Sequence, residues 1–73
     1  MIKIRTIKVE KDYKIFVVFE NNLEKLCDIS QFLQTGSFSE LRDEELFNQV
    51  KNKGYSIEWP NELDLSSDTL ISL

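Results

Sequence analysis

The sequence predicts an α+β fold: an antiparallel β-sheet, made of an N-terminal three-stranded meander plus a later short strand or hairpin, with two or three short helices. Three observations lead there. The first half alternates apolar and polar residues at a period of two, which marks strands with one wet face. Turn-forming pairs interrupt that pattern at intervals too short for a crossover helix, so successive strands run antiparallel. From Asp28 onward the period changes, and cap residues bracket short apolar stripes of helical spacing.

"MIKIRTIKVE" at 1–10 is the first strand. Its phase slips, because Ile2 and Ile4 are even while Ile7 and Val9 are odd. A β-bulge or bend near Arg5 and Thr6 would return both pairs to one face. Lys11 and Asp12 supply a tight turn into "YKIFVVF" at 13–19. There Tyr13, Ile15, Val17 and Phe19 share one face, and Phe16 and Val18 occupy the other. A strand that is apolar on both sides reads as the central one, covered by something on each face or by a partner. "ENN" at 20–22 turns the chain into a third strand, "LEKLCDI".

"DISQFLQTG" at 28–36 reads as one or two helical turns, with Asp28 and Gln31 spaced as a capping box and Gly36 at the left-handed terminus. In "SFSELRDEELFNQV" Asp43 is the expected N-cap, Glu44 and Glu45 lie at the positive end of the helix, and Leu46, Phe47 and Val50 form its apolar stripe. "KNKG" leads to a half-buried strand "YSIEW", which Pro60 ends by removing an N–H donor. Ser66 is expected to cap a last helix, with Leu65 and Leu70 as its hydrophobic staple and Asp68 in its first turn. With no linker or repeat in view, residues 1–73 read as one domain.

Composition narrows the function. The chain has 73 residues, no histidine and a single cysteine, Cys27. Zinc sites built from those ligands, Ser/His/Asp triads and Cys/His dyads cannot be assembled within one such chain. No enzymatic activity, metal or cofactor is expected. The net charge of −4 falls mostly on residues 37–73, which hold three basic and eight acidic groups. An acidic surface repels phosphate backbones and argues against direct nucleic-acid binding. Lys3, Arg5, Lys8, Lys11 and Lys14 alternate with aliphatics and read as a solvated strand face. The lone cysteine and the lack of a leader or an apolar run of membrane-spanning length point to a cytoplasmic chain without a membrane segment.

Candidate contact residues are few. Trp59 is either the closure of the core at a strand end or an anchor for a partner, since interfaces concentrate energy in Trp, Tyr and Arg. Pro60, Asn61 and Asp64 flank it, and Asp64 is a candidate acceptor for N–H groups of the turn after Pro60. Tyr13 and Tyr55 head their strands, with hydroxyls expected at the sheet edge. Glu58, Glu62, Asp64 and Asp68 lack the spacing of a calcium loop and read as caps and solubilising charge. Cys27, without a histidine base, reads as core.

Taken in order, "DYKIFVVFENN", "CDIS" leading to "LRDEELFNQV", and "IEWPNELDLSSDTL" resemble the DUF2442 family, small prokaryotic proteins of unknown function. The resemblance covers nearly the whole chain, and Trp59-Pro60-Asn61 followed by Asp64-Leu65-Ser66 is its most specific part. In the family pattern a glycine commonly follows the Trp-Pro-Asn run and another stands at the turn before the third strand. Glu62 and Asn22 occupy those places here, which leaves Asn61 or Asn21 to take the positive φ. The resemblance implies an α+β fold and no established activity. It also implies a non-enzymatic interaction module: the antitoxin-like or regulatory partner of a co-encoded small protein, such as a DUF4160-like neighbour. Homodimerisation fits the same residues. The alternative is an accessory domain related to transcriptional regulators, with the DNA-binding half absent.

Overall fold

Strand alternation builds the first sheet. The computed structural model describes residues 1–73 and orders β1 (Ile4–Glu10), β2 (Lys14–Phe19) and β3 (Glu24–Asp28) as an antiparallel meander with β2 in the centre. Ile4 faces Phe19 and Thr6 faces Val18, so Arg5 is the extra residue of a bulge. That bulge restores the phase expected from the sequence. Ile4, Ile15, Val17, Phe19 and Cys27 all end on the core side, fully or almost fully buried.

The β1–β2 turn differs from expectation. It takes in Tyr13 as well as Lys11 and Asp12, with Asp12 at φ 62° and Tyr13 at φ 60°. A bulky residue in the left-handed region is strained and persists only where its surroundings hold it. Three contacts do so. The Tyr13 carbonyl accepts from Ile29 N–H at 2.9 Å, its hydroxyl donates to the Arg42 carbonyl, and its ring meets Phe47 edge-on at 5.2 Å.

Two further turns are copies of one another. In "FENNL", Phe19 N–H donates to the Leu23 carbonyl at 2.8 Å and Asn22 N–H to the Phe19 carbonyl at 2.9 Å. In "WPNEL", Trp59 N–H donates to the Leu63 carbonyl at 2.8 Å and Glu62 N–H to the Trp59 carbonyl at 3.0 Å. In each the middle asparagine side chain accepts the N–H two residues on, from Leu23 at 3.1 Å and from Leu63 at 3.5 Å. The left-handed residue is the one after that asparagine, Asn22 at φ 72° and Glu62 at φ 70°. These are three-residue hairpin loops whose last position favours glycine. Asn21 and Asn61 therefore do not take the positive φ; their side chains are already committed to the turn.

The middle of the chain is less regular than its pattern suggests. Ser30–Phe32 and Gly36–Arg42 are 3₁₀ segments, and α1 (Glu44–Phe47) is one turn long. Asp28 does not form a capping box with Gln31. Its carboxylate accepts from Ser30 N–H at 3.0 Å and Ser30 Oγ at 2.6 Å, while the Gln31 amide donates to the Asp28 carbonyl. Asp43 caps α1 as expected, accepting from Glu45 N–H at 3.0 Å. Arg42 ties the segment back, its Nε donating to the Leu33 carbonyl at 2.8 Å.

The later strand is in fact the centre of a second sheet. β4 (Lys51–Asn52), β5 (Ser56–Glu58) and β6 (Asp64–Ser66) pair antiparallel in that order, and α2 (Ser67–Ser72) follows directly. Ser66 Oγ caps α2 by accepting from Thr69 N–H at 3.2 Å, with Leu65 and Leu70 buried beside it. The two sheets meet where Ile4 N–H donates to the Gly54 carbonyl at 2.7 Å and the Asn52 amide donates to the Ile4 carbonyl at 3.0 Å. On the far side α2 lies against β3, where the Lys25 ammonium donates to the Ile71 carbonyl and the Cys27 thiol to that of Leu70. One core fills the space between.

Glu62→Gly is expected to raise the urea midpoint, with a net gain of about 0.5–1 kcal/mol once left-handed strain is set against glycine's extra unfolded-state freedom. Asn22→Gly gains less, because asparagine tolerates that region. A lowered midpoint for Glu62→Gly would show that the Glu62 side chain contributes more than its backbone strain costs.

Candidate functional site

The tryptophan is core. Trp59 is 1% exposed, and its indole N–H donates to the Phe47 carbonyl at 3.0 Å. Its ring lies 5.9 Å from Phe47 and 6.3 Å from Phe38, the second contact nearly perpendicular at 86°. Edge-to-face and tilted pairs of this kind add to burial. Of the two readings the sequence allowed, closure of the core is the one observed.

The other residues singled out by sequence do not gather into one site. Pro60 is exposed at the turn. The Asn61 amide donates to Glu40 Oε1 at 2.9 Å and so ties that turn to the second 3₁₀ segment. Asp64 takes no N–H from the turn, because the Trp59 carbonyl and Asn61 Oδ1 already accept them. It lies exposed on β6 opposite Glu58, which is itself opposite Lys51. Tyr55 is 51% exposed in the approach to β5. Tyr13 is half-buried and lines a concavity of about 460 Å³ with Glu10, Asp12, Glu44, Phe47 and Asn48. No three His, Cys, Asp or Glu residues come close enough together to hold a metal ion.

A surface built by the central strand brings different residues together. On the face of the first sheet opposite the core, register aligns Lys8, Phe16 and Leu26 in one row, Thr6, Val18 and Glu24 in the next, and Glu10, Lys14 and Asp28 in the third. Leu26 is 53% exposed, with Phe16 and Val18 half-buried beside it. Phe16, Leu26 and Lys14 also line a concavity of about 460 Å³ at the hairpin end. None of these three apolar side chains packs against the core cluster. The two-faced pattern of "YKIFVVF" is the sequence signal; Leu26 gives none, because its neighbours on the same strand face, Glu24 and Asp28, are both charged.

Two titratable groups depart from their ordinary behaviour. The Asp28 carboxyl is held below the usual range by the hydrogen bonds from the Ser30 hydroxyl and N–H, with Lys14 helping slightly. Burial pushes the Cys27 thiol up, against a small opposing effect of Lys25. A protonated, buried thiol is a poor nucleophile. Ser67 Oγ is buried without a hydrogen-bond partner, in the first turn of α2.

The model of a family described as a protein of unknown function, DUF2442, matches residues 4–73. The chain belongs to the DUF2442 family. No curated protein matches it, and no solved structure does. The match takes in every strand and both helices, so the DUF2442 unit and the α+β fold described above coincide. No helix of this DUF2442 chain is long and apolar enough to cross a membrane.

Trp59→Phe in the DUF2442 core removes the indole bond and leaves a partial cavity, with an expected loss of about 2 kcal/mol in urea unfolding. Asp28 gives a pH-dependent term. Its folded pKa lies below the ordinary value of about 3.9, so its stabilisation is present above that value and disappears as pH falls through the depressed folded pKa. The stability difference between the parent and Asp28→Asn should therefore be constant above the ordinary carboxylate value and shrink as pH falls through the depressed folded pKa. Parallel curves would mean that the Ser30 bonds do not distinguish the folded state.

Proposed function

We propose that this DUF2442 chain is a non-enzymatic protein-interaction module that binds through the outer face of its first sheet. The observation that carries this reading is the apolar centre of that face, exposed Leu26 with half-buried Phe16 and Val18 beside it, on a sheet whose other face already makes the core. A central strand with a wet outer face needs no apolar side chains there, and β-sheet proteins normally alternate instead. Contiguous exposed apolar surface rimmed by charge is the usual mark of a contact site. A domain this small also gains stability by mass action when a partner binds the folded form.

The partner suggested by the family resemblance is the small protein encoded alongside, of the DUF4160 kind, in an antitoxin-like or regulatory arrangement. Catalysis is not part of this reading, because histidine is absent and the one thiol is buried and protonated. Co-expression with the adjacent gene product is expected to give a complex on size exclusion and a raised melting temperature. Leu26→Lys should abolish that complex while leaving the isolated domain within about 0.5 kcal/mol of its parent, as exposed substitutions usually do. A complex indifferent to Leu26→Lys would remove this face from the account.

A further inference from the structure

In an antiparallel ladder, residue pairs that exchange both backbone hydrogen bonds alternate with pairs that exchange none. The β2–β3 ladder is closed by Ile29 N–H on the Tyr13 carbonyl at one end and by Phe19 N–H on the Leu23 carbonyl at the other. Between them Ile15 faces Cys27 and Val17 faces Lys25. These are the bonded pairs by alternation. Glu24, Leu26 and Asp28 therefore turn their N–H and C=O groups away from β2, towards the open edge of the sheet. Outside the ladder a single group meets that row, the Gln31 amide on the Asp28 carbonyl at 3.0 Å.

The other edges are occupied or short. β1 is bent by its bulge at Arg5, and its start is taken by the Gly54 carbonyl and the Asn52 amide. β4 has two residues, and β6 has three before α2 begins. Beyond its bulge β1 keeps a regular register, but its outward residues Ile7 and Val9 are half-buried, whereas all three outward residues of β3 are exposed. An unpaired strand edge is a template for an added strand.

The side chains along the edge say what kind. They read acid, leucine, acid. A second copy pairing antiparallel about Leu26 would set Glu24 of one chain against Asp28 of the other at both ends, and like charges directly opposite are destabilising. Asp28 shares its row with Lys14, whereas the row of Glu24 holds Thr6 and Val18 and no cation. We propose that β3 accepts an extended segment of another protein with basic, apolar and basic residues at alternate positions, added as a further strand beside Glu24, Leu26 and Asp28. Backbone bonds supply the attachment and the alternate side chains the selectivity, as in β-strand addition generally. The pattern is the same read in either direction, so charge does not fix the polarity of the added strand.

This rests on the interaction reading above and names the partner's chemistry. The test uses the full chain with the blocked peptide Thr-Lys-Val-Leu-Val-Lys-Thr and its counterpart with glutamates for lysines, followed by amide NMR shifts and hydrogen exchange. The lysine peptide is expected to slow exchange at Leu26 and Asp28 and to bind roughly fivefold tighter than the glutamate peptide, with Glu24→Lys narrowing or reversing that order. Equal binding of the two peptides, shifts centred away from β3, or no binding at millimolar peptide would overturn the edge proposal. A complex with the co-encoded protein in which Leu26 and Asp28 exchange as in the free chain overturns the edge and leaves the module; the absence of both complex and peptide binding removes both.

Discussion

The fold depends on a line of aromatic rings that runs through Trp59. Tyr13 meets Phe47, Phe47 meets Trp59, Trp59 meets Phe38, and Phe38 meets Phe32. Each ring comes from a different place: the tip of the first hairpin, α1, the end of β5 and the two 3₁₀ segments. The indole N–H on the Phe47 carbonyl fixes the line at its middle. Without it the segment from Ser30 to Asn48 would have little to hold it, since its helical pieces are a turn or two long and isolated turns are unstable in water. The same line explains how Tyr13 is kept at a positive φ. Its ring and hydroxyl are fixed by Phe47 and Arg42, so the backbone strain is offset by contacts elsewhere.

Much of this was legible in the sequence where a pattern is long enough to repeat. The alternation from Ile2 to Val9 is long enough to reveal a phase slip near Arg5, a bulge or a bend, because a slip of one position moves every later side chain to the other face. The caps Asp43 and Ser66 were also readable, since each is a local side-chain-to-backbone bond. β4 and β6 were not. "KN" and "DLS" are shorter than one full alternation, and their strand geometry exists only because β5 lies between them. The positive φ at Glu62 was hidden for another reason. Residue preference pointed to Asn61, but the three-residue loop requires the left-handed residue last, and loop geometry overrode side-chain preference. Of the residues first singled out for contact, Trp59 turned inward, while Leu26 gave no signal until register placed it beside Phe16.

The repeated turn ties these halves together. "FENNL" closes β2 to β3 and "WPNEL" closes β5 to β6, each with an aromatic residue buried at its start and a leucine at its end. The aromatic residues differ in what they reach. Phe19 stays within the hydrocarbon of the core, whereas Trp59 carries an N–H that needs a buried acceptor and finds it on α1. A turn that would otherwise serve only to reverse the chain thereby fixes the angle between the second sheet and the 30–48 segment.

Folding alone accounts for one face of the first sheet and not for the other. The core side is filled by Ile4, Ile15, Val17, Phe19 and Cys27, which are almost wholly enclosed. On the outer side a threonine or lysine in place of Leu26 would satisfy the strand equally well, since no core residue rests on it. Exposed apolar side chains scattered singly need no explanation. Exposed Leu26 with half-buried Phe16 and Val18, brought together by register beside an unpaired strand edge, is a different case. The free edge supplies backbone hydrogen-bonding groups, the patch supplies apolar contact, and Glu24 and Asp28 supply charge selectivity. All three belong to one stretch of five residues, Glu24–Asp28, or to the strand beside it; of these groups only the Asp28 carboxylate also serves the fold, through its bonds from Ser30.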